Sequence, residues 1–174
     1  MSSLFTRFFL ILASCVFATH VWAQEAAQIE KITPMAAPAI SYANEKGEMK
    51  KLAPKENKLT IVHFWATWCA PCVAELPQVD AVAKAYASKG VEVVALSLDG
   101  SGNMDKVQQF IASHHITNLT AYIDRNNFSF RAFKGDGLPT SVFIDKDGQV
   151  IARVEGPLNW KSPETLDFIN ANLK

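Results

Sequence analysis

Net charge is what this 174-residue chain lacks first, since 17 Lys and Arg stand against 17 Asp and Glu. With no basic field to hold phosphate backbones, nucleic acid is not an expected partner. Cysteine is scarce at three residues, and glycine and proline number only eight each, so a disulfide scaffold and a collagen-like rod are excluded. A hydrophobic share of 49% excludes a disordered chain and suffices for the core of one domain.

Long apolar runs are also missing once the N-terminus is passed. After Arg7, residues 8–17 form an almost unbroken apolar run, and Val21-Trp22-Ala23 offers small residues where a signal peptidase reads, so residues 1–23 read as an export signal. That run is about half the length of a bilayer span. Beyond Ala23 the longest comparable stretch, residues 59–66, is interrupted by His63. No stable transmembrane helix is expected once the leader is removed. Leu12-Ala13-Ser14-Cys15 offers an alternative, because it resembles a bacterial lipobox whose cysteine is lipidated, although the apolar residues 16–22 make a poor start for a tether. By either route Cys15 is removed or capped. Cys69 and Cys72 then remain as a close pair in an exported domain, the setting to be explained.

Residues 24–38 are polar, Ala-rich and carry two prolines, so residues 24–37 read as a linker and residues 38–174 as one undivided domain. Segments 39–42 and 48–52 flank Asn44-Glu45-Lys46-Gly47, a hairpin turn signal. Residues 59–65 form an apolar strand without polar alternation, as in a sheet covered on both faces. A helix is expected over residues 70–88, kinked at Pro77 and stopped at Gly90. A strand over 91–98 and a helix over 104–115 continue the alternation, which implies a parallel α/β core. Next come a short strand at 120–123, a short helix at 126–133, and strands 140–144 and 150–154 about the Asp147-Gly148 turn. Ser162 as N-cap and Pro163 at the first helical position open a last helix to Leu173.

Trp65-Ala66-Thr67-Trp68-Cys69-Ala70-Pro71-Cys72 joins the first strong strand to its helix. Two cysteines three apart in a first helical turn share one face, close enough for a disulfide, with Pro71 where a first turn tolerates it. Unpaired amides and the positive dipole end favour the Cys69 thiolate. If the thiol pKa falls from ~8.5 to ~7, thiolate at pH 7 rises roughly 16-fold while nucleophilicity falls about 6-fold. The larger gains are a better leaving sulfur and a stabilised dithiol, which set the redox potential. A purely structural staple is inefficient here, because a four-residue loop contributes only about 2 kcal/mol. A zinc site completed by His114 and His115 lacks a second cysteine pair, and adjacent histidines diverge on a helix; a cationic helix end is the better reading. Haem attachment is excluded because Val73 follows Cys72.

Strand, Trp-Cys-Ala-Pro-Cys, helix, with Gly137-Leu138-Pro139-Thr140 before a late strand, resembles the thioredoxin superfamily. The preceding hairpin, Cys72-Val73-Ala74-Glu75-Leu76-Pro77 and the insertion before Pro139 are most similar to its exported TlpA/ResA/DsbE-type branch. The resemblance implies a thioredoxin-like α/β fold: a central mixed sheet with helices on both faces, an N-terminal β-hairpin and a central insertion. It implies a thiol-disulfide oxidoreductase of the periplasm, with lipid anchoring through Cys15 as the alternative location. Neither an organic cofactor nor a metal is called for.

Residue by residue, the resemblance makes Cys69 the attacking and Cys72 the resolving cysteine. Pro139 matches a cis-proline that shapes the substrate groove with Leu138, Pro71 and Trp68; for Trp68, plain core packing competes. Glu75 matches an acid that handles the proton of the resolving thiol, and its alternative is a first-turn carboxylate on the helix dipole. His63 stands where thioredoxins proper carry a strand acid, which leaves the proton route open. The expected activity is reduction of disulfides in exported partner proteins, as in cytochrome c maturation or copper-site assembly, with electrons from a membrane dithiol donor. Two alternatives remain: a thiol oxidase or isomerase, and a binding module acting as chaperone or metal carrier.

Overall fold

The computed structural model describes residues 26–174. The export signal, the Cys15 lipobox and the first two linker residues lie outside it. In chain order the elements are β1 (Glu30–Ala36), β2 (Ser41–Ala43), β3 (Met49–Lys51), β4 (Leu59–Trp65), α1 (Ala70–Tyr86), β5 (Val91–Ser97), α2 (Met104–Ser113), β6 (Tyr122–Ile123), α3 (Phe128–Ala132), β7 (Thr140–Asp145), β8 (Gln149–Glu155) and α4 (Pro163–Ala171). The eight strands form one sheet in the order β1-β8-β7-β4-β5-β6-β2-β3. Pairs β4–β5 and β5–β6 are parallel and the rest antiparallel, so the sheet is mixed.

Strand β4 lies in the middle, and every one of its residues is buried. Its unalternating apolar sequence follows from cover on both faces. Side-chain parity then sorts the core in two. Leu59, Ile61 and Trp65 join Leu76 and Val79 of α1, Val107 and Ile111 of α2 and Ile169 of α4 on one face. Val62 and Phe64 join Ile40, Tyr42 and Phe133 on the other, where the Phe64 ring meets those of Phe130 and Phe133 at 5.4 and 5.9 Å. By the same parity His63 faces α1.

Helix α1 runs on through Pro77 and passes into a 3-10 turn, Ala87–Lys89, before Gly90. Gly90 has φ +89°, a left-handed conformation that favours glycine, and a Cβ there would lie 3.0 Å from the Lys58 side chain, which would have to shift. Helix α4 opens as its sequence predicts, with Thr165 N–H donating to Ser162 Oγ at 3.2 Å.

Three elements differ from expectation. Within the segment read as a linker, β1 pairs antiparallel with β8 at the sheet edge, from Glu30 opposite Arg153 to Ala36 opposite Gln149. Its register shifts between Lys31 and Met35, where Pro34 falls, and nearly all its residues are exposed. An edge strand tolerates proline at such an irregularity and carries little apolar pattern. The strand expected at 120–123 shortens to the two residues of β6. The helix expected at 126–133 is broken, because Asn126 and Asn127 adopt φ of 56° and 55° ahead of α3.

Candidate active site

The strand-to-helix turn is held from the side by Asp99, just after β5. Thr67 N–H donates to its Oδ2 at 2.8 Å, the Thr67 hydroxyl to its Oδ1, the Ser97 hydroxyl to Oδ2 at 2.7 Å, and Lys106 Nζ lies 3.1 Å from Oδ1. Burial acts to raise the Asp99 pKa, but the hydrogen bonds from Thr67, Ser97 and Lys106 outweigh it and hold the carboxyl below its ordinary value. A charged anchor therefore fixes the approach to the cysteines.

Cys69 is the N-cap of α1, with extended backbone, and its sulfur accepts the Cys72 N–H at 3.3 Å. The two cysteines are bridged, S–S 2.01 Å and Cα–Cα 5.3 Å. Their surroundings are unequal. Cys69 keeps 6% exposure beside Trp68 at 66%, whereas Cys72 is wholly enclosed. Trp68 is thus a surface residue, and core packing does not account for it.

Glu75 is the sixth residue of α1 and points inward, 4% exposed, so it is no first-turn carboxylate. Its Oε2 accepts the Leu158 N–H at 2.7 Å, and its Oε1 lies 3.6 Å from His63 Nε2. Burial raises its pKa to about 7, against the lowering effect of the Leu158 amide and the Trp160 indole. His63 is fully buried, pairs through Nδ1 with Ser141 Oγ at 2.9 Å, and meets the Trp160 ring edge-on at 5.8 Å. Its pKa falls to about 3 through burial. A neutral imidazole and a carboxyl poised at neutrality therefore lie side by side beneath the cysteine helix.

Pro139 immediately precedes β7. Since Phe64 pairs with Thr140, the register sets Pro139 opposite Trp65, at the sheet end from which the cysteine turn departs. The Leu138–Pro139 bond is cis, and Leu138 packs on the cluster containing both cysteines. A groove of about 380 Å³ runs past Pro71, Glu75, Gln78 and Leu158. His114 and His115 sit apart, exposed at the end of α2, where His114 Nδ1 bonds the Phe110 carbonyl at 2.9 Å. Asp99, Ser141 and Trp160 escaped the sequence reading. An Asp just past a strand end is the one signal that pointed to Asp99; Trp160 and Ser141 gave none.

A close cysteine pair bridged at a helix cap on such a sheet is the arrangement of a thioredoxin-fold thiol-disulfide oxidoreductase. Residues 33–169 match the family described as Redoxin, and the chain belongs to that family. It is 38% identical over 108 residues to the thiol-disulfide oxidoreductase ResA of Oceanobacillus iheyensis, covering 62% of this chain and 55% of that protein. The ResA of Bacillus anthracis is 32% identical over 120 residues, 69% of this chain and 68% of that one. Among solved structures, a thiol:disulfide interchange protein DsbE of Chlorobium tepidum superposes with a TM-score of 0.71 at 27% identity, over 83% of this chain and all of that one. Among the described residues no helix is long and apolar enough to cross a membrane.

Proposed function

We propose that the chain is an exported, periplasmic reductant of protein disulfides. The asymmetry of the cysteine pair carries this reading: Cys69 is buried but keeps 6% exposure beside an exposed tryptophan, while Cys72 is wholly enclosed with Glu75 three positions on. In the reduced protein the Cys69 thiolate attacks one sulfur of a partner disulfide. A mixed disulfide forms and the partner's other sulfur leaves as thiolate. The Glu75 carboxylate takes the Cys72 proton, and the Cys72 thiolate attacks the Cys69 sulfur. The second partner sulfur is released, two electrons have passed to the partner, and the Cys69–Cys72 bridge remains.

The partner segment is received on Trp68, Pro71, Leu138 and Pro139, as the resemblance implies; of these only Pro71 also lines the groove of about 380 Å³. The bridge is reduced again from outside, by a membrane-embedded dithiol. Disulfides of exported proteins in cytochrome c maturation or copper-site assembly are the substrates that the resemblance suggests. Trapping tests the cycle: Cys72→Ala should accumulate partners linked through Cys69, and an active extract yielding none refutes it. A potential near −270 mV, roughly that of thioredoxin, supports reduction; one near about −120 mV makes the chain an oxidase.

A further inference from the structure

His63 is wholly enclosed and only half satisfied. Its Nδ1 pairs with Ser141 Oγ, while Nε2 has no hydrogen-bond partner. That nitrogen faces Glu75 Oε1 across 3.6 Å; Oε1 has no hydrogen-bond partner of ordinary geometry, because the Trp160 indole N–H, close enough to lower the carboxyl pKa, makes no hydrogen bond itself. The other carboxyl oxygen is already engaged by the Leu158 amide at 2.7 Å. About half an ångström of closure would bring Nε2 and Oε1 within hydrogen-bond range.

We propose that His63 is a positioning residue for Glu75, presenting Nε2 so that the carboxyl keeps a hydrogen-bond partner both with and without the proton it takes from Cys72. This rests on the proton-acceptor role proposed for Glu75 and deepens it. A neutral imidazole can serve both states because it has two tautomers. Carrying its proton on Nε2, it donates to the Glu75 carboxylate while Nδ1 accepts from the Ser141 hydroxyl. Carrying it on Nδ1, it donates to Ser141 Oγ while Nε2 accepts from the Glu75 carboxylic acid; the serine hydroxyl rotates to suit. The other groups around Glu75 are the Leu158 amide and Trp160 indole, from the segment between β8 and α4, and Cys72 earlier on α1. The amide and indole only donate. Among the described residues no lysine or arginine forms an ion pair with Glu75, and no charged neighbour is among the causes of its pKa shift. The switchable partner is His63.

The test follows the resolving step, from mixed disulfide to bridge, against pH in single turnovers. Wild type should show a limb near neutrality that Glu75→Gln abolishes. His63→Phe removes the donor to the carboxylate and should move that limb up by about one pH unit, a tenfold slower step below it. His63→Gln, whose amide also offers donor and acceptor, should restore it. A limb unmoved in His63→Phe overturns the proposal, whereas a limb that survives Glu75→Gln overturns the reading of Glu75 beneath it. Should His63→Phe not fold, ¹⁵N NMR of His63 in the wild type decides. The ring must stay neutral and change tautomer with the midpoint of the limb; nitrogen signals that stay constant through it overturn the proposal.

Discussion

Replacing Glu75 by Gln in the bridged protein removes a titration that enclosure has displaced, and the effect on stability has a definite sign. The carboxyl pKa rises from 4.5 to about 7 on folding, through burial. Between those values the native protein holds a proton that the unfolded chain has lost, so stability falls as pH rises. The full span of 2.5 pH units corresponds to about 3 kcal/mol, present below pH 4.5 and gone above 7. His63 acts in the opposite sense. Its pKa drops from 6.5 to about 3, so the unfolded chain binds the extra proton and stability rises with pH across that window. In wild type the two slopes cancel from about pH 4.5 to 6.5. Glu75→Gln exposes the His63 slope alone, a rise of about 3 kcal/mol over those two units. The glutamine keeps an oxygen for the Leu158 amide, so little else changes. Urea unfolding of the oxidised proteins at four pH values, followed by tryptophan fluorescence, measures the difference. A variant-minus-wild-type stability that does not vary with pH refutes the reasoning.

Two further substitutions probe the scaffold around the site. Asp99→Ala leaves the Thr67 N–H and the Ser97 hydroxyl without their charged acceptor and should lower stability by about 2–4 kcal/mol in urea unfolding; a loss below about 0.5 kcal/mol would show that the turn holds itself. Ser162→Ala removes the acceptor of the Thr165 amide at the start of α4 and should cost about 1 kcal/mol by the same assay, with the cysteine potential unchanged.

The sequence made legible what depends on local chemistry. The 59–65 strand, the cysteine pair at a helix start, the Gly90 stop and the Ser162 cap all follow from residue types within a turn or two of where they act. Parity even assigns His63 to the face of Ile61 and Trp65. What could not be read was the partner across that face. Glu75 is 12 residues from His63, Ser141 is 78, and their meeting depends on how α1 crosses the sheet and on the β4–β7 register. Trp160 and Leu158 reach the carboxyl from a polar connection with no periodicity. Strand β1 was missed for a different reason, since an exposed edge strand owes its existence to backbone pairing with β8, and its side chains record little of it.

The two outer margins of the sheet carry a consequence for a protein that meets other chains. At one margin β1 bears Pro34, which has no N–H to offer; at the other, three-residue β3 ends in Lys50 and Lys51, both turned to water. An incoming strand finds neither a full row of donors nor a neutral landing place. Adhesion along the flanks is thereby discouraged, and visitors are left to engage the tip where the sulfurs lie and then depart.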